Sequence, residues 1–208
     1  MTNGGVEQQL MQTIRAKFGA AIDAAVAGTA IPAAFLAAMI ANESGGNPDG
    51  KRFEPGVLTH LWNVLVGRAV TYGSIGRGEL LNYVAGLATT PITPPTTLPA
   101  NVFQRLDELA TSWGLTQIMG YHILEWRSIP AWYREVDDLK APESNLRCAT
   151  LLLTQFANRF TLDLGKDFFE LLHCWNTGQP DGKTYDPDYV ANAMRRFDLY
   201  GSLDITTA

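Results

Sequence analysis

The chain has 208 residues, 46% of them apolar and 18% charged, with 16 Lys and Arg against 21 Asp and Glu. That composition describes a folded domain with a sizeable core and excludes a disordered tail. The net charge of -5 argues against a nucleic-acid partner, which would call for a basic face. No stretch reaches the roughly 18 unbroken apolar residues of a membrane span. The opening M-T-N-G-G-V-E-Q-Q-L has neither the basic nor the apolar region of a secretory signal.

Helical spacing dominates the chain. Residues 5–17 carry Leu10, Met11 and Ile14, followed by Phe18, at helical intervals. Pro32 suits the first turn of a helix running through Ala41. Segments 55–69, 77–88 and 100–111 read helical, and 115–126 carries an apolar stripe after a glycine. Residues 142–161 open on Pro142 and Glu143, a favourable first turn, and continue as a long amphipathic helix. Segments 166–175 and 187–199 complete the set. No segment alternates as a strand should, although G-G-N-P-D-G is turn chemistry that would allow a small hairpin within 45–54.

The run T-T-P-I-T-P-P-T-T-L-P, residues 89–99, cannot be helical, because proline removes donors and fixes φ. A surface loop is expected there rather than a domain linker. The expected architecture is a single mainly α domain over 1–208, with residues 56–111 as a helical insertion around the proline loop. Cys148 and Cys174 lie in apolar helix-like stretches and are expected to be buried free thiols. His60, His122 and His173 are scattered without metal-ligand spacing, so neither a metal nor a cofactor is expected.

Four short stretches carry polar residues where chemistry could use them. Glu43 ends the apolar run A-A-F-L-A-A-M-I-A and precedes Gly45 and Gly46. The negative end of a helix and apolar neighbours both disfavour an ionised carboxylate, so its pKa should rise. A glutamate kept protonated near neutral pH can act as a general acid. In S-W-G-L-T-Q-I-M-G, residues 112–120, Gly114 would open a helix and Gln117 would lie one turn in, within reach of a polar substrate. In C-W-N-T-G, residues 174–178, Asn176 ends an apolar helix before Gly178. Tyr189 starts the helix after Y-D-P-D. Each stretch alone also suits an ordinary structural role: a helix-end carboxylate, a packed tryptophan, a C-terminal stop, a half-buried ring.

Taken in order, the four resemble the lytic transglycosylase and goose-type lysozyme superfamily, whose pattern is E-S, G-L-M-Q-I, a Y-N-A-G-like turn and a tyrosine near the C-terminus. The similarity spans residues 32–195. With R-F-E-P upstream, S-W-G-L-T-Q-I-M-G-Y-H is also similar to phage-type N-acetylmuramidases of the same fold. The resemblance implies a lysozyme-like fold, with a small β-hairpin allowed after the catalytic helix. It implies Glu43 as the catalytic acid, with Ser44 beside it contacting substrate or holding the site. It implies that Gly114, Leu115 and Gln117 line a sugar groove, that Trp175 and Asn176 contact sugar, and that Tyr189 hydrogen-bonds the acid. Thr116 and Trp175 depart from the family's Met and Tyr, and the interval from Glu43 to Gly114 is long.

The implied reaction is cleavage of the β-1,4 bond between N-acetylmuramic acid and N-acetylglucosamine in peptidoglycan. In a lytic transglycosylase the muramoyl C6 hydroxyl attacks, giving a 1,6-anhydro product, and Glu43 serves as acid and then base. A hydrolytic muramidase of the inverting type would need a second carboxylate about 6.5–9.5 Å away. Glu54 is the candidate, ahead of Asp49 in its turn, and Arg52 could pair with it. Trp113, Tyr121, Trp175 and Tyr185 stand near the motifs as sugar-stacking candidates, whereas Trp62, Trp126 and Trp132 suit the core. Alternatives are a chitinase-like hydrolase acting on chitin oligosaccharides, a non-catalytic glycan-binding module, and a helical interaction domain in which the four motifs do not converge. The expected partner is the glycan strand, with no nucleic acid and no transmembrane segment. The protein is expected to be monomeric and to act on the cell wall, whether periplasmic, extracellular or released by a phage.

Overall fold

The computed structural model describes residues 3–86, 100–126 and 135–203. The mainly α architecture holds, and the described residues share one hydrophobic core. Helix α1 (Asn3–Val26) buries Met11, Ile14, Phe18, Ile22 and Ala25, one residue every three or four. Helix α2 (Ala33–Glu43) buries every residue from Phe35 to Ala41. A helix apolar on all sides needs cover on all sides, and α1 and α9 (Tyr189–Ser202) pack against it. Pro32 is its N-cap rather than a first-turn residue, and the helix runs two residues past Ala41 to Glu43.

Helices α7 (Pro142–Phe160) and α8 (Phe168–Thr177) follow the sequence reading closely, with Pro142 at the first turn of α7 and Gly178 ending α8 at φ 78°. Between them and the first two helices lies the segment expected to be a helical insertion. It contains α3 (Pro55–Leu65), α4 (Arg77–Val84) and α5 (Val102–Leu109), which pack on one another. It also contains a two-stranded hairpin, β2 (Thr71–Tyr72) and β3 (Ile75–Gly76), where no strand was expected. The proline-rich run 89–99 and Trp132 lie outside the described residues.

The larger departure is a three-stranded antiparallel sheet. Strand β1 (Lys51–Phe53) pairs with β4 (Thr111–Trp113), and β4 pairs with β5 (Ile118–Met119). The turn at 45–50 therefore leads not into a local hairpin but into a strand whose partner lies sixty residues on, with Arg52 opposite Ser112. Segment 115–126 is not a helix. It is the β4–β5 turn, β5 and the short helix α6 (His122–Glu125).

The reason is a buried amide. Asn145 on α7 is fully buried. Its Oδ1 accepts the Thr116 N–H at 2.9 Å and the Thr116 hydroxyl at 2.7 Å. Its Nδ2 donates to the carbonyls of Trp113 and Leu139 at 2.8 and 2.9 Å. Backbone groups that a helix would have bonded internally are satisfied by this one side chain. Gly114 has φ 76°, and a Cβ there would come within 2.5 Å of Asn145 Nδ2, so only glycine allows the turn.

Candidate active site

Glu43 is the last residue of α2, and Tyr189 is the first of α9. The Tyr189 hydroxyl donates to Glu43 Oε1. One residue earlier, Asn42 Nδ2 donates to the Tyr189 carbonyl at 2.8 Å. The end of one helix is thus stitched to the start of another across 146 residues of sequence. Gly45 and Gly46, at φ 62° and 80°, turn the chain sharply after Glu43.

This carboxyl is pushed up to about 7. Burial is the main cause, while the Tyr189 hydrogen bond and the positive charge of Arg52 pull the other way. Burial, and secondarily Glu43 itself, pushes the Tyr189 hydroxyl well above its usual value. Tyr189 therefore remains a donor while Glu43 exchanges its proton.

Glu43 opens on a cleft of about 810 Å³, toward the upper end of the usual range for ligand sites, about 300–1,000 Å³. Glu54, Gln117, Trp175 and Asn176 line the same cleft. Gln117 sits in the β4–β5 turn at φ 55°, not one turn into a helix. Its Oε1 accepts the Ser112 hydroxyl at 2.8 Å, and its Nε2 donates to the Gly114 carbonyl at 2.9 Å. The carboxamide is therefore held rigid at the cleft wall. Trp175 is half-buried and Asn176 exposed at the end of α8. Glu54 precedes α3 and pairs through Oε1 with Arg52 Nε at 2.6 Å.

Three nominated residues present no side chain to the cleft. Leu115 is fully buried in the core. Gly114 packs against Asn145, and its N–H donates to the Gly50 carbonyl at 2.8 Å. The Ser44 hydroxyl folds back to donate to the Ile40 carbonyl at 3.3 Å, ending α2. Of the aromatic candidates, Tyr121 and Trp175 line the cleft. Trp113 instead donates to the Glu108 carbonyl, and Tyr185 is fully exposed and does not line the cleft. Trp126 is core, and Trp62 stacks on Phe103.

Several cleft residues escaped the sequence reading. Tyr72 and Ser74 come from the β2–β3 hairpin, and His122 and Glu125 from α6. His122 Nδ1 lies 2.6 Å from Glu125 Oε2. Their i,i+3 spacing was the only signal available, and it is common on exposed helices. Cys148 and Cys174 are both buried, and neither forms a disulfide. No group of three or more His, Cys, Asp or Glu side chains is placed to hold a metal among the described residues. Nor does any helix among them have the length and apolarity to cross a membrane.

Compared with known proteins, the chain matches no family model, no curated protein and no solved structure.

Proposed function

We propose that the protein is a peptidoglycan-cleaving glycosidase of the lytic transglycosylase type. The observation that carries this reading is a single carboxyl, Glu43, pushed up to about 7, held by Tyr189 and facing a cleft. A group that must first give a proton and later take one works best with a pKa near the working pH.

Glu43, protonated, gives its proton to the glycosidic oxygen between N-acetylmuramic acid and N-acetylglucosamine, and that bond breaks. The muramoyl C6 hydroxyl attacks the anomeric carbon and loses its proton to the Glu43 carboxylate. The products are a 1,6-anhydromuramoyl end and a free N-acetylglucosamine end, and Glu43 is again protonated. No water and no second carboxylate enter. Gln117 and Asn176 offer amides for N-acetyl and hydroxyl groups, and Trp175 offers a ring face for a pyranose. The site of action is the bacterial cell wall.

A hydrolytic muramidase is the second reading, because Glu54 lines the same cleft. Its Oε1 is engaged by Arg52 at 2.6 Å, which ties down one of its two carboxylate oxygens. A transglycosylase keeps most of its turnover in Glu54→Gln, whereas a hydrolase that uses Glu54 loses about a hundredfold or more. A chitinase-like activity would share the acid and differ only in substrate.

The test is release of soluble muropeptides from purified peptidoglycan. The wild-type protein releases them, and Glu43→Gln, which keeps the shape but carries no transferable proton, falls by about a hundredfold or more. Equal release by both proteins, or none by the wild type, overturns the proposal.

A further inference from the structure

Helix α1 lies ahead of the four motifs, yet it packs against both helices that hold Glu43 and Tyr189. It supports the turn after Glu43 from below. A Cβ added to Gly46 would lie 3.2 Å from Ile14 Cγ1, so that turn rests directly on α1. Through Glu7, the same helix reaches the residue before Glu43.

Glu7 Oε2 and Oε1 accept from Arg195 Nε and Nη2 at 2.6 and 2.7 Å, a two-pronged pairing. Glu7 Oε1 also lies 3.4 Å from Arg196 Nε. That nitrogen is buried and has no hydrogen-bond partner among the described residues, so the Glu7 charge beside it is what offsets its burial. The other end of the guanidinium, Nη1, donates to Asn42 Oδ1. Asn42 Nδ2 is thereby turned toward the Tyr189 carbonyl, to which it donates at 2.8 Å. Glu7 and Arg196 keep only 15% and 18% of their side-chain surface exposed. A pair so far removed from water gains little stability, because desolvation offsets much of its attraction. Fixing geometry is a better use for it: one planar guanidinium spans from α1 to α2 and sets which way the Asn42 amide points.

Resting on the glycosidase reading, we infer that Glu7 is a positioning residue for the acid. Through Arg196 and Asn42 it fixes the start of α9, so that the Tyr189 hydroxyl stays directed at Glu43. Glu7 is not among the residues that line the cleft, and it acts only through this chain. The groups that act on Glu43 itself are Tyr189 from α9 and Arg52 from β1, and the chain ends on the first of them.

The test is carbon-13 NMR titration of the Glu43 carboxyl in the full chain, its signal assigned by its absence from Glu43→Gln. The Tyr189 hydrogen bond favours ionised Glu43, so loosening it moves the midpoint to higher pH. Glu7→Gln keeps the size without the charge and shows that upward move. Loss of a remote negative charge would by itself lower the midpoint, so a rise reports geometry and not charge. In a Tyr189→Phe background, which already lacks the donor, Glu7→Gln moves the midpoint no further up. Arg196→Lys keeps the charge but cannot reach Glu7 and Asn42 with one planar fork. It raises the midpoint too, and it tests the same chain should Glu7→Gln not fold. Arg195→Gln breaks only the outer pairing and leaves the midpoint in place. On soluble glycan, Glu7→Gln lowers kcat by about tenfold with little change in KM, the effect of about one hydrogen bond. A midpoint that stays or falls in both Glu7→Gln and Arg196→Lys, or that rises equally with and without the Tyr189 hydroxyl, overturns the inference. The titration needs no turnover. If the wild-type protein releases nothing from peptidoglycan, the glycosidase reading fails, and the NMR result still decides whether Glu7 holds the Tyr189–Glu43 contact.

Discussion

The Asn42 amide donates to the Tyr189 carbonyl while the Tyr189 hydroxyl donates to Glu43. Two neighbouring residues at the end of α2 thus grip the two ends of one tyrosine at the start of α9. Arg196, about two turns further along α9, donates to Asn42 Oδ1, and its Nε lies 3.4 Å from Glu7 Oε1 on α1. The acid is fixed by a chain of contacts drawn from three helices. Asn42→Ala strands the Tyr189 carbonyl and an Arg196 donor, so it should cost about 1–3 kcal/mol of stability. On the proposed glycosidase reading it should also lower kcat with little change in KM, because it loosens Glu43 and leaves the rest of the cleft in place. Chemical denaturation and steady-state kinetics on soluble glycan check both. A change in KM alone would contradict the positioning role.

Tyr189→Phe removes the donor while keeping the ring. The hydrogen bond favours ionised Glu43, so its loss raises the Glu43 pKa above about 7. If Glu43 must be protonated to act, the alkaline limb of kcat/KM moves to higher pH in the variant. A pH–rate profile reads this directly, and a limb that stays or moves down contradicts it.

Stability should also report the acid's state. The folded pKa of about 7 lies above the unfolded value of 4.5. Between these values the native state binds more protons than the unfolded chain, so stability falls as pH rises. Glu43 contributes fully below pH 4.5, and its contribution is lost as pH passes through about 7. The loss amounts to about 3 kcal/mol. Glu43→Gln has no such loss, so urea unfolding should show the variant gaining on the wild type between acidic pH and pH 8. Parallel stability curves for the two proteins would mean that Glu43 is not perturbed.

Asn145 carries the β4–β5 turn. Asn145→Ala leaves the Thr116 donors and two carbonyls without partners in a buried place, and should cost at least about 3 kcal/mol. Because the turn presents Gln117 to the cleft, the proposed function predicts that glycan binding weakens as well. Retention of wild-type stability would show that the turn is held by other contacts.

The same turn shows where the sequence stops being readable. The run of Leu115, Ile118 and Ile123 fits a helical stripe, and nothing local announces that Asn145, about thirty residues on, will claim the turn's backbone groups. Strands of two or three residues carry no alternation, and β1 finds its partner across an intervening set of helices. By contrast, α2 was legible because an unbroken apolar run ending in Glu43 and two glycines has few other uses. The stop at Gly178 was legible for the same local reason. In the cleft, Glu43, Gln117 and Asn176 could be named from short motifs. Tyr72, Ser74 and Glu125 could not, because the hairpin that gathers them has no pattern of its own.

The most direct test of the central claim is mass spectrometry of the soluble products from purified peptidoglycan. Fragments ending in 1,6-anhydromuramic acid, released by the wild-type protein and absent with Glu43→Gln, are the predicted result. Fragments ending in reducing muramic acid, heavier by one water, would contradict it and make Glu54 the next residue to change.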